Sequence, residues 1–145
     1  MFHSIRSFTI ANVLVALLAA PAVQAKSKSI AGDWTFEAEH FPLKLVLTQK
    51  GKNVTGILDY PHGDPLRLTG TFKGDTLHLS GDGTGANFTI HMDATGTLKS
   101  DGTFGGSLNA LIVDLNDEHQ PVRKHDQDMQ WTAVRGLRGV KSFHP

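Results

Sequence analysis

The chain contains no cysteine. That absence excludes a disulfide framework, a thiolate metal centre and a cysteine nucleophile. Charge of one sign is equally missing: 14 Lys and Arg balance 14 Asp and Glu, for a net charge of +0 at pH 7. Such a balance argues against an electrostatic nucleic-acid binder and against an acidic disordered tail. No apolar run reaches the roughly 20 residues that a membrane-spanning helix needs. No Ser–His–Asp order, glycine-rich phosphate loop or zinc-hydrolase helix is visible, and no cofactor is expected. What is plentiful is glycine, 15 residues beside a single Tyr, a composition suited to many tight turns.

The first 25 residues read as an export signal. Arg6 supplies a weakly positive start, and Phe8 to Ala20 is a 13-residue stretch interrupted only by Thr9 and Asn12. Pro21 then breaks the run, and Val23-Gln24-Ala25 offers small residues for cleavage. The mature chain is expected to begin at Lys26, without a transmembrane segment and with a net charge of −1, because only Arg6 is lost. Its expected address is periplasmic or secreted. The domain reading is a signal peptide over 1–25, one β-barrel domain over 26–135 and a flexible C-terminal tail over 136–145.

From Gly32 onward the apolar pattern has a period of two, the signature of half-buried strands. Strands are expected at Gly32–His40, Pro42–Gln49, Val54–Tyr60 and Leu66–Lys73. Four more follow at Thr76–Ser80, Phe88–Thr95, Thr103–Ala110 and Asp128–Arg135. The first turns Trp34, Phe36 and Ala38 to one face, and the second turns Leu43, Leu45 and Leu47. Later strands contribute Leu58, Tyr60, Leu68, Phe88, Met92 and Leu108 to the same face. Threonine dominates the opposite face, being β-branched yet wettable. No stretch of the mature chain has a helical period.

Connections sort by length. Residues 50–53, 73–75 and 99–102 are short hairpin turns at one end. Glu39–Pro42, Pro61–Pro65, Gly81–Asn87 and Val113–Gln127 are longer and gather at the other. The last is long enough to act as a lid. Eight antiparallel strands with one apolar face bury that face and lose their edges by closing into an up-and-down meander barrel. A two-sheet sandwich is the alternative.

Gly32-Asp33-Trp34 at the head of the first strand resembles the G-x-W signature of lipocalins and avidin-like barrels. The run Leu45-x-Leu47-x-Gln49-x-Gly51-x-x-Val54-Thr55-Gly56 is similar to small secreted bacterial meanders of that type. Trp131-Thr132-Ala133-Val134-Arg135 resembles the closing strand, whose terminal basic residue in lipocalins packs on the G-x-W tryptophan. The resemblance covers Gly32 to Arg135 and implies a lipocalin/streptavidin-like (calycin-type) barrel, with Arg135 over Trp34 as a structural pair. Neither the lipocalin T-D-Y nor the polar biotin-binding set of avidins is recognisable, so no particular ligand is implied.

In such a barrel the tight hairpins and Trp34 close one end, and the apolar interior opens at the other. His40, Phe41, Tyr60 and His62 are expected at the rim, with Leu58, Leu68, Phe88, Met92 and Leu108 lining the cavity. Gly56, Gly70 and Gly106 would leave space between them. The expected function is binding of a small apolar ligand, with one hydrogen-bonding group met by Tyr60 or His40. Two alternatives stay open: an inhibitor barrel with a filled interior that grips an exported protein partner through its loops, and an isomerase, cyclase or decarboxylase with polar groups at the mouth. No acid or base occupies the middle of the inward face, which disfavours an enzyme. Metal binding is undecided. His40, His62, His119 and His125 fall near Asp64, Asp114, Asp117, Glu118 and Asp126, a donor set that suits zinc or copper, but no H-x-H or H-x₃-H pair fixes a geometry. His78 and His91 would face each other on the outer wall, with Asp93 nearby.

Overall fold

Alternation becomes eight antiparallel strands: β1 (Gly32–Ala38), β2 (Phe41–Lys50), β3 (Asn53–Leu58), β4 (Leu66–Lys73), β5 (Thr76–Thr84), β6 (Phe88–Leu98), β7 (Phe104–Leu115) and β8 (Pro121–Arg135). They close in chain order into one barrel, the seam being β1 against β8. The computed structural model describes residues 28–61 and 63–140. The expected signal peptide, His62 and the tail from 141 onward therefore lie outside the described residues. Among the described residues no helix is long and apolar enough to cross a membrane.

The inward face follows the period-two pattern throughout. Trp34, Phe36, Leu45, Leu47, Leu58, Leu68, Phe72, Leu77, Leu79, Met92, Phe104, Leu108 and Trp131 are all buried. Burial of each such side chain stabilises by about 1.5–3 kcal/mol, which is why the register is firmly set. Aromatic residues fill the lower half of the barrel. Phe36 stacks on Trp131 at 5.2 Å between ring centroids, and Phe104 lies 5.1 Å from Trp34 and 6.0 Å from Phe72.

The expected gaps at glycine are closed. At Gly70 and Gly106 the neighbouring strand comes so near that an added Cβ would overlap the carbonyl oxygens of His78 and Thr95. At Gly56 the side chains of Leu47 and Leu45 fill the space, and Trp131 lies across Gly96.

Three connections differ from expectation. Glu39 and His40 form a two-residue turn with φ of 53° and 67°, the left-handed pair that a tight β-hairpin uses. β5 continues through Gly81, paired with both β4 and β6, and Gly83, paired with β6, because that pairing outweighs the low strand preference of glycine. The supposed lid from Val113 to Gln127 is instead a β-hairpin, with Leu111–Asp126, Val113–Lys124 and Asp114–Arg123 paired. Its alternation is masked because Leu111, Ile112 and Val113 are apolar in succession, while residues 123–128 carry polar side chains on both faces. Asn116 sets the turn, its Oδ1 accepting the amides of Glu118 at 3.0 Å and Gln120 at 2.8 Å.

That hairpin leaves the wall uneven. β1 ends at Ala38, opposite Trp131, so β8 from Pro121 to Gln130 is paired on the β7 side alone among the described residues. At the other end the tail begins as a strap rather than a free end. Gly136 N–H donates to Asp33 O at 2.8 Å, Thr35 Oγ1 donates to Gly136 O at 2.7 Å, and Arg138 N–H returns to Thr35 Oγ1 at 2.8 Å. Thr35 is buried beneath it, although its side chain points out of the barrel.

Candidate functional site

Two ends with opposite characters frame the interior. At the floor, Ile30 is fully buried, its amide donating to Gln49 Oε1 at 2.8 Å. Its carbonyl accepts from Trp34 Nε1 at 2.8 Å. Arg135 closes this plug from outside. Its guanidinium lies 4.5 Å from the Trp34 ring centroid and donates to Ala31 O at 2.9 Å and Ser29 O at 3.0 Å. Ile30 was not foreseen as a core residue, because the segment before Gly32 is too short to show a period.

Above the aromatic layer the interior opens into a cavity of about 360 Å³. Phe36 forms its base, β2 and β3 contribute Leu43 and Leu58, and β6 contributes Ile90 and Met92. Leu108, Ala110 and Met129 complete the far wall, and Leu66 leans in from β4. Leu66 and Ile90 approach each other over Gly83, which has no side chain to keep them apart. The rim consists of Ala38, Glu39, Phe41, Tyr60 and Pro61. Phe41 stands half in solvent. Tyr60 is held upright by the edge of Phe88, 5.9 Å away. Among the described residues, Glu39 and Tyr60 are the titratable groups in this lining, and both sit at the mouth.

Of the residues expected here, Phe41, Leu58, Tyr60, Met92 and Leu108 line the cavity. Leu68 does not; it is buried in the layer below. Phe88 braces Tyr60 from behind and stays out of the lining. His40 is turned outward by its left-handed backbone, with a fully exposed side chain 4.0 Å from Glu37. Phe36, Leu43, Leu66, Ile90, Ala110 and Met129 were missed as lining. All have the inward parity, but the sequence alone does not say at which height the aromatic filling stops.

The histidines are dispersed. His119 occupies the β7–β8 turn, and His125 on β8 contacts Asp114 through Nε2 at 2.9 Å. On the outer wall His91 is held between two carboxylates, Asp82 at 2.7 Å from Nδ1 and Asp93 at 3.1 Å from Nε2. A carboxylate only accepts, so this geometry favours the imidazolium, which can donate from both ring nitrogens. The bond to Asp82, then that to Asp93, accordingly holds the imidazole above its ordinary pKa. Asp93 is held below the usual carboxylate range, first by the Ser80 hydroxyl and then by His91. His78 pairs with Thr95 across the sheet rather than with His91, and reaches Asp93 only at 4.0 Å. Because Asp82 and Asp93 grip opposite sides of one ring, they do not converge on a common ion. Among the described residues no group of three His, Asp or Glu side chains is arranged to hold a metal.

The closed, eight-stranded antiparallel meander has the avidin-like barrel fold. The solved apo form of intact afifavidin has this fold: it superposes with a TM-score of 0.50 at 11% identity, over 78% of this chain and 87% of that one. A rhizavidin–biotin complex aligns with a TM-score of 0.48 at 12% identity, over 79% of this chain and 99% of the other. The chain matches no protein-family model and no curated protein sequence.

Proposed function

We propose that this protein is an exported small-molecule-binding barrel that takes a compact apolar ligand into the cavity between Phe36 and the Tyr60 rim. The carrying observation is the cavity itself: about 360 Å³ with apolar walls, within the roughly 300–1,000 Å³ typical of ligand sites. A filled interior, as the inhibitor reading requires, would leave no such space. Catalysis would need a positioned acid or base beside the bound molecule, and among the described residues this lining offers Glu39 and Tyr60, at the mouth. The Glu39 carboxylate at the rim disfavours an anionic head group, so the ligand is neutral or cationic where it meets solvent. Export rests on the sequence of residues 1–25 and predicts Lys26 as the first residue of protein recovered from its host.

The test is a titration with a neutral, environment-sensitive apolar dye, repeated with Leu108→Trp, which fills the cavity. Saturable binding by the native protein and its loss in the variant, with circular dichroism unchanged, is the expected result. Absence of binding, or binding indifferent to the blocking side chain, overturns the proposal.

A further inference from the structure

Sheet closure normally removes every unpaired strand, yet β8 keeps one free side. Below Trp131 it is sealed to β1; from Pro121 to Gln130, about 30 Å of extended chain, it has no second neighbour among the described residues. The Gly136 N–H to Asp33 O bond fixes which residues face that side. Backbone groups alternate along a strand, so the even-numbered residues point toward β1 and the odd-numbered ones toward β7. Lys124, Asp126 and Asp128 therefore direct their amides and carbonyls outward from the sheet, without a strand to receive them. Folded proteins commonly blunt such an edge with proline, a bulge or a covering segment, because it is a template for strand addition. Here the irregularity and Pro121 lie at the far tip, opposite Leu115, and leave the stretch from Arg123 onward regular. A groove of about 510 Å³ between the Glu39–His40 turn and β8 lies where an added strand would enter.

The side chains select the occupant. Arg123 and Lys124 make the tip basic, and Asp126 and Asp128 make the next turn of the strand acidic. Run antiparallel to itself, the segment brings its basic half against its own acidic half. Outward groups meet in either of two central registers. In one, Lys124 of each copy stands opposite Asp126 of the other, which gives two opposite-charge pairs; in the other, Lys124 meets Asp128 but Asp126 meets Asp126, so the first register is the favoured one. Opposite charges directly across a strand pair stabilise it, whereas like charges oppose it. Asn109 Nδ2 donates to one oxygen of each aspartate, at 2.6 and 2.9 Å, and so holds both carboxylates on the outer face beside Lys124. We infer that a second copy of this chain pairs edge to edge along β8, forming a two-fold dimer with one sheet continuous across both β7–β8 hairpins.

Sedimentation equilibrium of the full chain, with and without charge reversal, tests this. The native protein is expected at twice the chain mass, falling toward the monomer as salt screens the exposed pairs. Arg123→Asp with Lys124→Asp makes the edge wholly acidic, and Asp126→Lys with Asp128→Lys makes it wholly basic. Each double variant alone is expected to be monomeric, and an equimolar mixture to regain the dimer mass. Asp126→Pro removes one outward amide while sparing the bonds to β7, and is expected to give a folded monomer. A native protein that stays monomeric at its solubility limit overturns the inference, as does a dimer that survives both reversals or a mixture that does not reassociate. Slow amide exchange at Lys124, Asp126 and Asp128 in a monomer would assign the edge to a segment of the same chain, and also overturns it.

Discussion

Replacing Trp34 tests the floor of the barrel and the part Arg135 plays in it. The indole is buried against Phe104, donates to the Ile30 carbonyl and carries the Arg135 guanidinium on its face. Trp34→Ala is expected to destabilise by about 3–5 kcal/mol, the range for truncating a buried aromatic residue. Arg135→Met removes two hydrogen bonds to backbone carbonyls as well as the ring contact, and is expected to cost about 1–2 kcal/mol at this exposed site. The two carbonyl bonds are lost in either background, so they cancel in a double-mutant cycle. What remains is the cation–π coupling, expected at about 0.5–1 kcal/mol because the guanidinium is exposed. Urea unfolding of the four proteins, followed by tryptophan-independent circular dichroism, gives the number. A coupling indistinguishable from zero would refute the claim that Arg135 acts through the indole and reduce it to a clamp on residues 29 and 31.

Gly106→Ala is expected to destabilise by at least about 1–3 kcal/mol, since its methyl group would overlap the Thr95 carbonyl and part β6 from β7; thermal melts check this. His91, whose pKa the bonds to Asp82 and Asp93 raise, contributes a stabilisation that is complete below the ordinary histidine pKa and is lost as pH rises through its higher folded value. The contribution is small because the ring is partly exposed, and NMR titration should show the His91 pKa falling in Asp82→Asn. Asn116→Ala removes two amide caps from the β7–β8 turn; faster amide exchange over Asn116–Gln120 with little change in melting temperature is the expected outcome.

Period-two patterning was enough to place the buried inward side chains within each expected strand from Trp34 to Ala133, because a one-residue slip would expose a whole row of Leu and Phe. The signals that failed were those without an apolar face. Residues 113–127 read as a loop because the projecting ribbon buries little and its polar β8 arm shows no apolar face, while its strand pairing depends on main-chain bonds that leave no trace in composition. The cavity was legible in the same uneven way. Phe41, Leu58, Tyr60, Met92 and Leu108 follow from parity and closeness to the mouth. The exclusion of Leu68 depends on how high the Phe36–Trp131 stack rises, a packing result that no local pattern encodes. His40 was lost to a backbone effect, since the left-handed turn aims its ring away from the opening.

The seam between β1 and β8 also governs how this chain can reach its native state. The other pairings join strands adjacent in sequence, each of which can form as a hairpin within a short loop. The seam instead brings together residues 93 (Ala38 and Trp131) to 101 (Trp34 and Arg135) positions apart, and the Arg135–Ser29 bond spans 106. Closing a loop of that length costs about 4 kcal/mol of chain entropy, and it must be met in a single step. Guanidinium, indole and the Thr35 strap are all concentrated at that join, where local folding offers no help. The barrel is kinetically a string of hairpins with one distant latch, and the residues of the latch control how long it stays shut.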